Sequence, residues 1–185
     1  ARGLTNIPQG IQEQLTELTT LGRRDGAAPW AAAGALDRSG DTLNSVFLSI
    51  VLGGAGLPTR VAPAQVALWL AGNGHLDAVR DHVAANGGDL VEELGEYNLS
   101  TLLANAILAA DPQFAASAKD VRAALRSQFP PDTRSFSTDE TIALLKKILE
   151  YVGDGQIPPS LIVLDEVQQY ISSDGGRAME VQNLV

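Results

Sequence analysis

One short run constrains the fold of this chain more than any other. Pro158-Pro159-Ser160 leads into Leu161-Ile162-Val163-Leu164, and Asp165-Glu166 follows at once. Four large aliphatics in succession, two of them β-branched and all preceded by prolines, read as a buried strand over residues 161–165. Such a strand cannot stand alone, because its backbone N–H and C=O groups need partners. The rest of the chain offers few other strand candidates. The expected fold is therefore mainly α: an irregular multi-helix domain with one buried β-strand whose sheet is mostly encoded elsewhere. Residues 1–155 form the helical region, and residues 156–185 carry the strand and the helices after it. Within this chain the strand is expected to pair with a second copy of itself or to pack irregularly against helices.

The helical region is read from periodicity and punctuation. Ile11, Leu15 and Leu18 share one face of a first helix, ended by Gly22 and an Arg23-Arg24-Asp25-Gly26 turn. Pro29 opens a short Ala-rich helix to about Leu36. Asp41 caps an apolar helix over 43–52, stopped by Gly53-Gly54-Ala55-Gly56-Leu57-Pro58. Pro63 stands at the first position of the next helix, which ends at Gly72-Asn73-Gly74. Helices over about 75–86, 99–110 and 118–129 follow, with a short one capped by Asp89 between the first two. Ser137 and Glu140 have the spacing of a capping box, opening a helix to about Val152 with Ile142, Leu145, Ile148 and Leu149 inward. No repeat of fixed period is visible.

Composition excludes several function classes. With 45% hydrophobic and 19% charged residues in 185, the chain can bury a sizeable core. It has no cysteine, which excludes disulfides, thiolate metal sites and cysteine nucleophiles and favours a reducing, cytoplasmic setting. Its two histidines, His75 and His82, lack a carboxylate placed to complete a zinc site. A net charge of −9 opposes binding of nucleic acid by this stretch alone. No apolar run is long enough to span a bilayer, no signal peptide opens the chain, and no membrane partner is expected. The chain starts at Ala1 without Met and stops at Val185 inside an apparent helix, so it reads as a piece of a larger protein.

The chemistry lies in Asp165-Glu166. Four hydrophobes followed by Asp-Glu is the Walker B pattern of P-loop ATPases. A rigid strand delivers the carboxylates to its C-terminal edge, where α/β sheets hold their ligands. Asp165 would help hold Mg²⁺, which keeps several waters and so needs only one or two carboxylates. Glu166 would orient and polarise the attacking water. Adjacent residues on a strand point to opposite sides, so the two can do different work. The alternative from the same residues is a strand surfacing into a helix N-terminus, where acidic side chains are favoured electrostatically.

The longer run, from Leu161 through Gln168-Gln169-Tyr170-Ile171 to Arg177 and Gln182-Asn183-Leu184, resembles the Walker B region of the large AAA-type ATPases of bacterial phage-defence systems. These are the BREX ATPases and their phage-growth-limitation relatives. The resemblance covers about 25 residues at the C-terminus. It implies ATP and Mg²⁺ as cofactors of the parent, other protein subunits as partners, and nucleic acid as a possible partner of the parent. One departure limits this stretch: a P-loop needs Gly-Lys-Ser/Thr, and the sequence contains no Gly-Lys pair. The glycine-rich run 53–56 leads to Leu57-Pro58 and reads as a helix-to-helix turn. The phosphate loop is expected upstream of Ala1, and this stretch alone is expected to be inactive and to bind ATP weakly. The alternative function is a non-catalytic helical module for protein interaction.

Among the remaining candidates, Lys119, Arg122 and Arg126 make one basic helix face, either solvated or in contact with a partner. Arg23-Arg24 reads as a solvated turn, and Arg177 as a candidate to reach a phosphate or a neighbouring subunit. Trp30 and Trp69 are expected in the core.

Overall fold

The structure, a computed structural model, describes residues 9–25, 28–36, 42–131, 136–171 and 175–184. Its elements run α1 (Gln9–Asp25), β1 (Trp30–Ala35), α2 (Leu43–Gly54), α3 (Val61–Gly72), α4 (Leu76–Ala85) and α5 (Leu90–Gly95). They continue with α6 (Thr101–Ala110), α7 (Ala118–Gln128), α8 (Thr138–Val152), β2 (Ser160–Asp165), α9 (Val167–Ile171) and α10 (Gly175–Leu184). The chain is mainly helical, as its periodicity implies.

The sheet departs from expectation. Residues 30–35 form a strand, not an Ala-rich helix, and this strand pairs in parallel with β2. The register sets Ala31 beside Leu161, Ala33 beside Val163 and Ala35 beside Asp165. Trp30 N–H donates to the carbonyl of Pro159 (3.0 Å), and Leu36 N–H to that of Asp165 (2.9 Å), closing the ladder at both ends. The strand thus finds a partner within its own chain. Parallel strands need a long crossover, and here α2 to α8 lie between them.

Helix α2 explains why alanine and glycine occupy β1. It lies on the inner sheet face so closely that a Cβ on Gly34 would stand 2.7 Å from Ile50 Cγ1. A Cβ on Gly54 would stand 2.6 Å from that of Ala32. Larger residues would lift the helix off the sheet. Ile162 and Leu164 rest on the same side, half-buried against the main core. That core is built by Leu48, Val51 and Leu52 of α2, Val66 and Leu70 of α3, Val79 and Val83 of α4, Leu103 and Ile107 of α6, Leu125 of α7 and Ile148 of α8. The outer sheet face is open: Leu161 is 45% and Val163 48% exposed, so β2 is not buried on both faces.

The helix ends are mostly where the sequence puts them. Ser137 accepts from Glu140 N–H (3.2 Å), and the Glu140 carboxylate accepts from Ser137 N–H (3.0 Å), completing the capping box. Asp89 accepts from the amides of Val91 and Glu92 at 2.9 and 3.0 Å. At the end of α2, Leu57 N–H donates to Leu52 O and Gly56 N–H to Gly53 O, with Gly56 at φ +69°. That pair of bonds is the Schellman stop. It repeats at Gly74 after α3 and at Gly87 after α4. The glycine-rich run is therefore a helix terminator.

Four local expectations are corrected. Thr42, not Asp41, caps α2, accepting from Ser45 N–H; Asp41 lies outside the described residues. Pro63 is the third residue of α3, which starts at Val61. Helix α1 continues through Gly22 to Asp25, so Arg23-Arg24 is helical and not a turn. Ile142 is 58% exposed, because α8 buries the stripe of Thr141, Leu144 and Ile148.

Candidate functional site

Strand β2 delivers Asp165 to the carboxyl end of the sheet, and Glu166 follows directly. The Asp165 backbone is fixed by its carbonyl, which accepts from Leu36 N–H on the neighbouring strand. Its Oδ1 accepts from Glu166 N–H at 2.8 Å. Glu166 takes the left-handed conformation, φ +58°, which a non-glycine residue adopts at a cost. Its carbonyl accepts from Tyr170 N–H (3.0 Å), so the chain turns from strand to α9 at this residue. Both acidic residues are exposed.

The turn is anchored from below. Tyr170 is buried with Leu36, Leu43 and Val46 in a satellite core that joins the C-terminal end of the sheet to the first turn of α2. Arg177, at the start of α10, donates to the Tyr170 carbonyl (3.2 Å) and stacks 5.2 Å over its ring. The structure thus engages Arg177 with Tyr170. Among the described residues, no group of three or more His, Asp or Glu side chains is assembled to hold a metal ion. Asp165 and Glu166 thus stand together as two exposed carboxylates at the end of the sheet, and the sequence contains no Gly-Lys pair.

The other candidates fall elsewhere. His75 lies 4.0 Å from Asp111 across the joint between α4 and α6, and His82 sits in the last turn of α4. Trp69 is half-buried, tilted against Phe114 (5.1 Å) and Phe129 (6.1 Å). Trp30 is half-buried against the main core. Trp69 also borders a cleft of about 880 Å³ between α3, α4 and α8, together with Arg80, Lys147 and Tyr151. No local pattern signals this cleft, since its walls come from helices whose pairing is set by the tertiary packing. Lys119, Arg122 and Arg126 do share one face of α7, and they border a groove with Leu99.

No family model matches the chain, and no curated protein or solved structure is significantly similar to it. No helix among the described residues is long and apolar enough to cross a membrane.

Proposed function

We propose that this chain is part of a bacterial P-loop ATPase of the phage-defence class, working in the cytoplasm with other protein subunits. Residues 1–155 are its helical insertion, and residues 156–185 carry Walker B. Asp165 helps hold the Mg²⁺ of Mg-ATP, and Glu166 orients the attacking water. The phosphate loop comes from another stretch of the parent, so the chain alone does not turn over ATP.

The observation that carries this reading is the place of the acidic pair. It stands exposed at the carboxyl end of a strand in a parallel pair, where open α/β sheets hold their ligands. The half-exposed Leu161 and Val163 support it further, since parallel sheets are ordinarily covered on both faces.

The test is ATP hydrolysis by the intact parent, wild type against Glu166→Gln, with thermal melts as a folding control. A loss in kcat of about 10²-fold or more with an unchanged melt is expected for a water-activating carboxylate. Equal activity, or two inert proteins, would reduce Asp165-Glu166 to a strand-to-helix junction.

A further inference from the structure

We infer that the groove between the α5–α6 joint and α7 docks an acidic peptide segment of a partner protein, one that carries an apolar side chain. This inference does not depend on the ATPase reading. The groove encloses about 530 Å³ and is lined by Asn98, Leu99, Lys119, Arg122, Ala123 and Arg126, with Ser127 at its rim. Its lining holds three cations and no carboxylate, on a chain whose net charge is −9.

The three cations divide the work. Arg122 is committed internally: its Nη1 donates to the Leu99 carbonyl (3.0 Å) and to Thr101 Oγ1 (2.9 Å). Those bonds pin the joint before α6, and the Leu99 side chain is left 60% exposed at a fixed place. Lys119 and Arg126 of α7 border the same groove, both exposed, and neither has a carboxylate partner among the described residues. The nearest acid on the helix, Asp120, is held by the Ser117 hydroxyl (2.6 Å). Beneath, Val121 and Leu125 are fully buried, so the groove stands on a packed helix that need not rearrange.

An exposed leucine in one groove with exposed cations is complementary to an apolar side chain among carboxylates. Nucleic acid fits less well. The lining has no aromatic ring on which a base could stack.

The test uses fluorescence anisotropy on the full chain at about 0.15 M salt. The probe is a short fluorescein-labelled peptide of Asp and Glu with interspersed Leu. The comparison probes are the same peptide with Ser for Leu, and a short single-stranded DNA. Saturable binding of the Leu-bearing peptide is expected, weakened about 10-fold or more by Lys119→Glu with Arg126→Glu. Leu99→Ser is expected to weaken it about 3- to 10-fold, and the Ser-bearing probe should bind wild type more weakly by a similar factor. All substituted side chains are exposed, and unchanged thermal melts verify that the variants are folded. No saturable binding up to about 1 mM, the weak limit of specific recognition, would overturn the inference. So would binding indifferent to charge reversal, or tighter binding of the DNA.

Discussion

The two adjacent glycines at the end of α2 offer a test of the whole sheet-to-helix packing. A Cβ at Gly53 would meet only Thr59 Cγ2, at 3.6 Å, an ordinary contact. A Cβ at Gly54 would meet the Ala32 Cβ at 2.6 Å, the Ala32 Cα at 3.2 Å and Trp30 Cζ2 at 3.3 Å. Neither glycine has a positive φ, so backbone conformation does not separate them. The difference is what lies across from each: solvent and a threonine methyl at one, the β1 backbone at the other.

Replacing Gly by Ala in a helix gains up to about 1 kcal/mol from lost unfolded-state freedom, less at a helix end. Gly53→Ala should therefore be neutral or stabilising by up to about 1 kcal/mol. At position 54 the new methyl must push strand and helix apart by about 1 Å. Overpacking of this kind costs about 1–3 kcal/mol. The helix gain is common to both positions, so Gly54→Ala should be less stable than Gly53→Ala by about 1–3 kcal/mol, or about 2–12 °C in Tm for a chain of this size. Urea and thermal denaturation of both variants measure the contrast. If Gly54→Ala is as stable as Gly53→Ala, β1 does not lie against α2. The pairing that makes residues 30–35 a strand would then be wrong.

The end of α8 supplies two further predictions. A Cβ on Gly153 would stand 2.0 Å from the Gln156 carbonyl oxygen and 2.8 Å from Pro158 Cδ. Gly153→Ala should cost at least about 2 kcal/mol by urea denaturation, and a neutral result would contradict the tight turn into β2. The next residue, Asp154, holds φ +53° while Gly155 N–H donates to Glu150 O at 2.7 Å, so an aspartate occupies the left-handed position just past the end of α8. Asp154→Gly should stabilise by about 0.5–1 kcal/mol, seen as a higher Tm; a loss of stability would place that residue's value in its side chain.

Local chemistry made much of the fold legible. Caps such as Ser137 and Asp89 and the terminating glycines act through backbone groups a few residues away, so sequence spacing reveals them. Strand β1 was illegible for the opposite reason. Trp-Ala-Ala-Ala-Gly-Ala has good helix formers and no β-branched residue. Its partner lies some 130 residues on, and its small side chains answer to the close approach of α2 rather than to any local preference. The same limit misplaced Ile142. Apolar residues cover more than one stripe of α8, and only its packing on α2 and α3 selects Leu144 and Ile148 as the centre. The acidic pair was legible in position, at the end of an aliphatic run. That Arg177 turns to Tyr170 was not, because a cation–ring contact across a loop leaves no periodic trace.

The carboxyl end of β2 separates fold from chemistry in a way that makes the ATPase proposal answerable. What fixes the turn runs through backbone groups, Asp165 Oδ1 and Tyr170. The Asp165 carbonyl holds Leu36, the Glu166 amide meets Asp165 Oδ1, the Glu166 carbonyl receives Tyr170, and Tyr170 fills the satellite core. The Glu166 side chain takes no part in this, and it is exposed. Glu166→Gln keeps the shape and hydrogen-bonding reach of the side chain while removing its charge and basicity. A loss of turnover in that variant would therefore report on the carboxylate alone. Asp165 is different, since its Oδ1 also stitches strand to turn, and its replacement by alanine would confound a structural loss with a chemical one. The clean experiment on this site is at Glu166, and the geometry of the turn is the reason.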